Sequence, residues 1–184
     1  MTEANRILDF WLQEVGPAGW YKQDQDLDAR IKAEFEELWL QAMSGGLWNW
    51  RAGARGSLSY LLLTDQFSRN MFRGTANAFA SDHLARKAAK FAISRGQDTR
   101  IPEPERQFFY LPLMHSEALS DQELCICRIL NAMPETGHSD NLSHAVKHRA
   151  VIRRFGRFPS RNRALGRTDT QPELAYRAEG GYMS

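Results

Sequence analysis

The sequence predicts an all-α protein of seven or eight helices in antiparallel pairs. Apolar residues recur at three- and four-residue steps over most of the chain. No stretch shows the period-two alternation of a half-buried strand, and the periodic runs end on Gly and Pro: Gly16-Pro17, Gly45-Gly46, Gly96, Pro134 and Gly156. At 184 residues, with 42% hydrophobic and 25% charged residues, the chain fits one domain spanning 1–184. A chain of this size buries roughly 70% of the surface that its unfolded form exposes, enough for a core without staples.

The first helix is expected over residues 5–15, with Ile7, Leu8, Trp11 and Leu12 on one face. Asp24, Asp26 or Asp28 can cap the second, since a short carboxylate satisfies first-turn N–H groups and suits the dipole. Its inward positions are Leu27, Ile31, Phe35, Leu38 and Ala42. Leu58 to Phe67 is apolar nearly all round, the mark of a central buried helix. A long Ala-rich helix from Thr75 to Gly96 should turn Phe79, Leu84, Ala88, Phe91 and Ala92 inward. Phe108 to Met114 forms the next apolar run, which Pro112 should kink or break. Ser120 can cap a helix through Ile129. The last long helix runs from Asn141 to Phe155, with Leu142, Ala145, Val146, Ile152 and Phe155 inward. Beyond Gly156 the chain turns irregular, with a short helix near Pro172 to Glu179.

Charge is unevenly spread. Eight of the 24 cations lie between Lys147 and Arg167 with no acid among them, and the remaining 16 face 22 acids. The net +2 is therefore an acidic body of −6 beside a basic segment of +8. That segment is mostly arginine, interleaved with Phe155, Phe158 and Leu165. Arginine pairs bidentately with carboxylates and tolerates partial burial, so residues 146–184 are expected to pack on the body as an Arg-rich helix and irregular segment.

Several classes are disfavoured. No apolar run approaches the ~18 residues of a membrane span, and MTEANRILDF lacks a basic-then-apolar leader pattern. Cys125 and Cys127 are the two cysteines, one residue apart, so a reducing cytoplasm is expected and no disulfide framework. Both read as small core residues. The five tryptophans read as core and interhelix packing rather than an aromatic cage. Nucleic acid is disfavoured by the acidic body and by the absence of a zinc-finger, RNP or KH signature. No cofactor is implied.

LLLTDQFSRNMFRGTANAFASD, then RQFFYLPLMHSE, then VIRRFGRFPSRNRALGR, with ILDFW and GGLWNW upstream, resembles the bacterial family known as domain of unknown function 924 over nearly the whole chain. The resemblance implies an all-helical fold related to tetratricopeptide-repeat superhelices and no established activity. This chain carries Ser68 where the family pattern has proline and Ser160 where it has histidine. Any chemistry of that histidine in relatives is therefore unavailable here.

Candidate site residues cluster in three places. Asp65, Gln66, Arg69, Asn70 and Arg73 gather a carboxylate, an amide and two guanidiniums at the end of the buried helix. They read either as a grip for an anionic ligand or as a structural network. His115 and Glu117 flank Ser116 but lie outside any nucleophile-elbow context, so no catalytic residue is assigned. His148 shares a helix face with His144; without the glutamate of H-E-x-x-H, and needing a third ligand from Glu117, His115 or Asp82, the pair predicts no metal. The basic segment adds Arg157, Arg161, Asn162 and Arg167. An echo links two of these clusters: Ser68-Arg69-Asn70 precedes Arg73-Gly74-Thr75, and Ser160-Arg161-Asn162 precedes Gly166-Arg167-Thr168. Three functions follow, in order. The first is a helical-repeat-like scaffold for a peptide or protein partner. The second is a binder or enzyme with an Arg/His/Asp-lined pocket for a phosphate or carboxylate, and the third is nucleic-acid binding.

Overall fold

Every regular element that the computed structural model describes, over residues 2–134 and 140–183, is helical. Helix α1 (Glu3–Leu8) starts where the Thr2 hydroxyl accepts the Asn5 N–H. It runs into a π-helical stretch, Asp9–Val15, that stops at Gly16 with φ +62°. The wider π turn brings Phe10 inward beside Trp11 and leaves Leu12 partly exposed, against the expectation from 3.6 periodicity. A short turn, α2 (Gly16–Gly19), leads to α3 (Gln25–Met43). Of the three candidate acids Asp24 is the cap, accepting N–H bonds from Asp26 and Leu27 at 3.0 and 3.1 Å.

A 3-10 turn, Trp48–Ala52, precedes the central rod: α4 (Ala54–Leu61), a π-helical stretch Leu62–Phe67, and α5 (Ser68–Met71). Every residue from Ser57 to Ser68 is buried, as the all-round apolar pattern predicts. Aromatic rings join the rod to its neighbours. Phe67 meets Phe10, Trp11 and Phe35 at centroid separations of 5.9, 5.3 and 5.0 Å, and Trp20 meets Phe108 at 4.8 Å. Trp39 is also buried, whereas Trp48 is exposed.

The Ala-rich segment is divided rather than continuous. A 3-10 turn, Ala76–Phe79, precedes α6 (Asp82–Ser94). Ser81 sits at the break, donating to the Thr64 carbonyl at 2.5 Å and accepting from the Trp39 indole at 3.0 Å, so the chain is pinned to the rod there. The inward stripe is Ala85, Ala88, Ala89, Ala92 and Ile93, while Phe79, Leu84 and Phe91 are only partly buried. Small side chains let α6 lie close to α4, and larger ones are displaced to the margins.

The apolar run is broken rather than kinked: the 3-10 turn Glu105–Phe109 ends before Pro112, which opens α7 (Leu111–Met114). Its missing N–H is harmless in a first turn. In α8 (Leu119–Ala132) Ser120 lies inside the helix, and it is Ser116 that accepts the Ala118 N–H and donates to Asp121. Cys125 is buried on α8, where burial pushes its thiol up to about 12; Cys127 is exposed on the other face, so only one cysteine is a core residue. On α9 (Asp140–Phe155), which packs on α8, Ala145, His148, Val151 and Ile152 face inward and Val146 faces solvent. A 3-10 turn, Pro159–Arg161, then leads to α10 (Gln171–Ala178), held by a Thr170–Glu173 capping box. Among the described residues no helix is long and apolar enough to cross a membrane.

Candidate functional site

Asp65 lies in the π-helical stretch of the rod, almost fully buried, and one turn on, Arg69 stands on α5. Arg69 Nη1 reaches the Asp65 carbonyl at 2.7 Å and its Oδ1 at 3.3 Å. His115, just beyond α7, places Nδ1 at 2.9 and 3.0 Å from the two Asp65 oxygens, and the Gln66 amide donates to Oδ2 at 2.6 Å. Since an ionised carboxylate only accepts, Nδ1 carries the hydrogen, and the lone pair of the neutral ring is left on Nε2.

Asp82, at the start of α6, joins this pair to the C-terminal segment. Arg69 meets it at 3.0 Å, and Arg161 Nη1 meets its Oδ2 at 3.2 Å. Arg161 also donates to the His115 carbonyl at 2.8 Å and lies between the Phe79 and Phe158 rings, at 4.7 and 4.5 Å. Stacking of this kind suits the flat guanidinium and would not suit lysine.

A second bracket adjoins the first. Glu117 accepts from Arg167 Nη1 and Nη2 at 2.9 and 3.0 Å and from the Phe158 N–H at 2.8 Å. Arg167 Nε donates to Asn162 Oδ1 at 2.9 Å, and Asn162 donates onward to Asp169 at 2.7 Å. His148 lies behind, its ring 6.2 Å from His115 and 5.4 Å from Phe158, with Nδ1 bonded to the His144 carbonyl at 2.8 Å.

Not every residue singled out from sequence converges here. Asn70 and Arg73 both turn to Asp28 on α3, at 2.7 Å and at 2.7 and 2.9 Å, away from His115. Arg157 grips Glu173 bidentately at 2.7 and 2.8 Å and so is not among the groups around His115; Asn162, at 3.3 Å from the same Glu173, links that pair to the second bracket. A hollow of about 420 Å³ lies next to that pair, lined also by Arg154, whose guanidinium stands over the Phe155 and Tyr176 rings. Asp82, weighed from sequence only as a metal ligand, is the hub of the ion pairs. An acid opening a helix is ordinarily a dipole partner, so no local signal marked it. Arg86 was also missed.

A cleft of about 280 Å³ opens onto the network, lined by Asp82, Arg86, His115, Ser116, Glu117 and Arg161 among others. Arg86 is loosely held, with Nε 3.7 Å from Asp121 and Nη1 3.4 Å from Ser116. Lys90 meets the same Asp121 at 2.5 Å. The four carboxylates (Asp65, Asp82, Glu117, Asp121) and five cations (Arg69, Arg86, Lys90, Arg161, Arg167) in and around the cleft leave one positive charge in excess. Among the described residues no group of three or more His, Cys, Asp or Glu side chains is placed to hold a metal ion.

Burial sets the protonation states. It pushes the Asp65 carboxyl up, but Arg69, then His115 and Gln66, outweigh it and hold the group well below the usual carboxylate range. Burial lowers His115, and the nearby guanidiniums Arg69 and Arg161 add to this against the opposing pull of Asp65, so the imidazole is neutral near pH 7. Burial, with His115 next, brings His148 down to about 3. Glu117, raised by burial, is held below its ordinary value by Arg167 and the Phe158 N–H. Burial and the proximity of Arg69 bring Arg161 down to about 10, still a cation.

Fold and site together define an all-helical protein whose buried ion-pair network opens on a small cleft. The chain belongs to a family described as bacterial protein of unknown function (DUF924), whose model matches residues 7–181. The solved structure of a protein of unknown function from Agrobacterium tumefaciens is similar, with a TM-score of 0.88 and 40% identity, covering 96% of this chain and 97% of that one. None of the curated proteins matches.

Proposed function

We propose that the protein binds a small phosphate- or carboxylate-bearing molecule in the cleft between α6, the residues after α7 and the 159–161 turn. One observation carries the reading: Arg161 and Arg86 border the same small cleft as the His115 edge. Arg161 uses two N–H groups on Asp82 and the His115 carbonyl, which leaves three of its five for a ligand. Arg86, held only by long contacts, can turn in without breaking a strong pair. Guanidiniums in a partly desolvated cleft favour oxyanions through short, charge-assisted bonds. A peptide or protein partner would instead want an apolar groove. Exposed large hydrophobics are spread over separate elements, such as Leu40 on α3, Val146 on α9 and Leu174 on α10, and scattered residues of this kind need no partner.

Calorimetric titration with inorganic phosphate and with succinate tests the proposal. Saturable heat with either anion, lost in Arg161→Met at unchanged circular dichroism, is the expected result. Equal affinity in Arg161→Met, or no heat with either anion, removes the cleft as an anion site.

A further inference from the structure

An imidazole that gives one nitrogen to a buried carboxylate, beside guanidiniums that gather oxyanions, is arranged for more than binding. We infer that His115 Nε2 is a phosphoryl acceptor, taking a phosphoryl group from a small phosphoramidate or phosphoanhydride held by Arg161 and Arg86. This rests on the anion-site reading above and specifies its chemistry.

The argument begins with the tautomer. Asp65, at 2.9 and 3.0 Å, keeps the hydrogen on Nδ1, so the nucleophilic pair belongs to Nε2. His115 lines the cleft, and among the described residues no hydrogen bond engages Nε2. Other side chains nearby are poor nucleophiles. Ser116 is nearly fully buried and already shares its hydroxyl with Asp121, the Ala118 N–H and Arg86. Glu117 is occupied by Arg167 and the Phe158 N–H.

The step balances. The Nε2 lone pair attacks phosphorus and forms an N–P bond. In phosphoramidate, whose nitrogen already carries the extra proton, the P–N bond breaks and its electron pair leaves with ammonia; in a phosphoanhydride the bond to the bridging oxygen breaks and its pair leaves with phosphate. The ring, now bearing phosphorus on Nε2 and hydrogen on Nδ1, is cationic, and the Asp65 carboxylate stabilises it through the bond already in place. Charge building on the phosphoryl oxygens is met by Arg161 and Arg86, and fixed donors aimed at developing charge are the usual source of such acceleration. Asp82 and Glu117, which would repel a phosphoryl dianion, are neutralised by Arg69 with Arg161 and by Arg167. Asp65 is a positioning residue, since it acts through the ring.

The test is incubation of the full chain with potassium phosphoramidate, followed by peptide mapping under alkaline conditions and ³¹P NMR. We expect one acid-labile phosphate on His115, at Nε2 by chemical shift, and at least tenfold less incorporation in Arg161→Met. His115→Gln should carry none. Because that variant can also lose structure, the mapped position in the unaltered chain is the deciding measurement. Phosphate on His83, His144 or His148 in place of His115 overturns the inference, as does no incorporation while inorganic phosphate still binds by calorimetry. Failure of both binding and incorporation overturns it together with the anion-site reading.

Discussion

Arg69 and Arg161 close on one carboxylate. The first reaches Asp82 at 3.0 Å and the second at 3.2 Å, and each also donates to a main-chain carbonyl of the hydrogen-bonded Asp65–His115 pair, Asp65 for Arg69 and His115 for Arg161. These are the central residues of the two Ser-Arg-Asn tripeptides. The local backbones differ: Ser68 to Asn70 is α-helical, whereas Ser160 and Arg161 form a 3-10 turn. What the two copies share is therefore a target.

Asp82→Asn should leave both guanidiniums without their common counter-ion. Breaking a buried ion pair costs roughly 3–5 kcal/mol, and the partial exposure of Asp82 discounts this to about 2–3. Urea unfolding should show that loss at an unchanged m-value, and faster amide exchange over 157–167, because Arg161 ties this segment to α6.

Asp65→Asn is isosteric yet should be more harmful, at about 3–5 kcal/mol, since the residue is fully buried and serves Arg69, His115 and Gln66 together. The ionised group also makes stability pH-dependent. Its folded pKa is depressed, so its contribution is full above about pH 4, the unfolded value, and is lost as pH falls toward the lower folded value. Acid titration of the variant should lack that component.

His148 governs a different window. Its folded value of about 3 lies below the unfolded value of about 6.5, so the unfolded chain takes up the proton first and stability declines as pH drops from 6.5 toward 3. The loss from this group approaches about 3 kcal/mol at pH 4. His148→Phe, flanked by Phe158 and Tyr182, should lessen the fall in melting temperature from pH 7 to 4 without abolishing it, because His115, also lowered by burial, keeps its own share.

Gly56→Ala tests the packing of the rod's first turn. In an open helix the change would stabilise by about 1 kcal/mol. Here a Cβ would lie 2.0 Å from the Trp50 carbonyl oxygen, main chain that cannot swing aside. Overpacking of this kind costs about 1–3 kcal/mol, so a lowered melting temperature is expected. A raised one would show that the 3-10 turn Trp48–Ala52 adjusts freely.

Much of the fold is legible in the sequence because helix formation is local. The rod is marked by a run that is apolar nearly all round, α3 by its period and the acids at its start, and the last short helix by Pro172. Local pattern misleads where tertiary contacts redirect the chain. Ser81, bonded to Thr64 and Trp39, interrupts a segment whose composition is uniformly helical. The π turn after Leu8 rotates Phe10 inward in place of Leu12.

The site divides in the same way. By itself the sequence determined the helical class, the family, and the separation of charge into an acidic body and an arginine-rich segment. Each of these is a property of composition or of neighbouring residues. Only the tertiary structure decided which opposite charges meet. Asp65 finds His115 fifty positions away, Arg161 finds Asp82 seventy-nine away, and Asn70 and Arg73 leave the cluster for Asp28. A guanidinium can satisfy its donors on any carboxylate within reach, so residue type alone leaves the partner open. Helix packing settles it by bringing one carboxylate near and holding the others away.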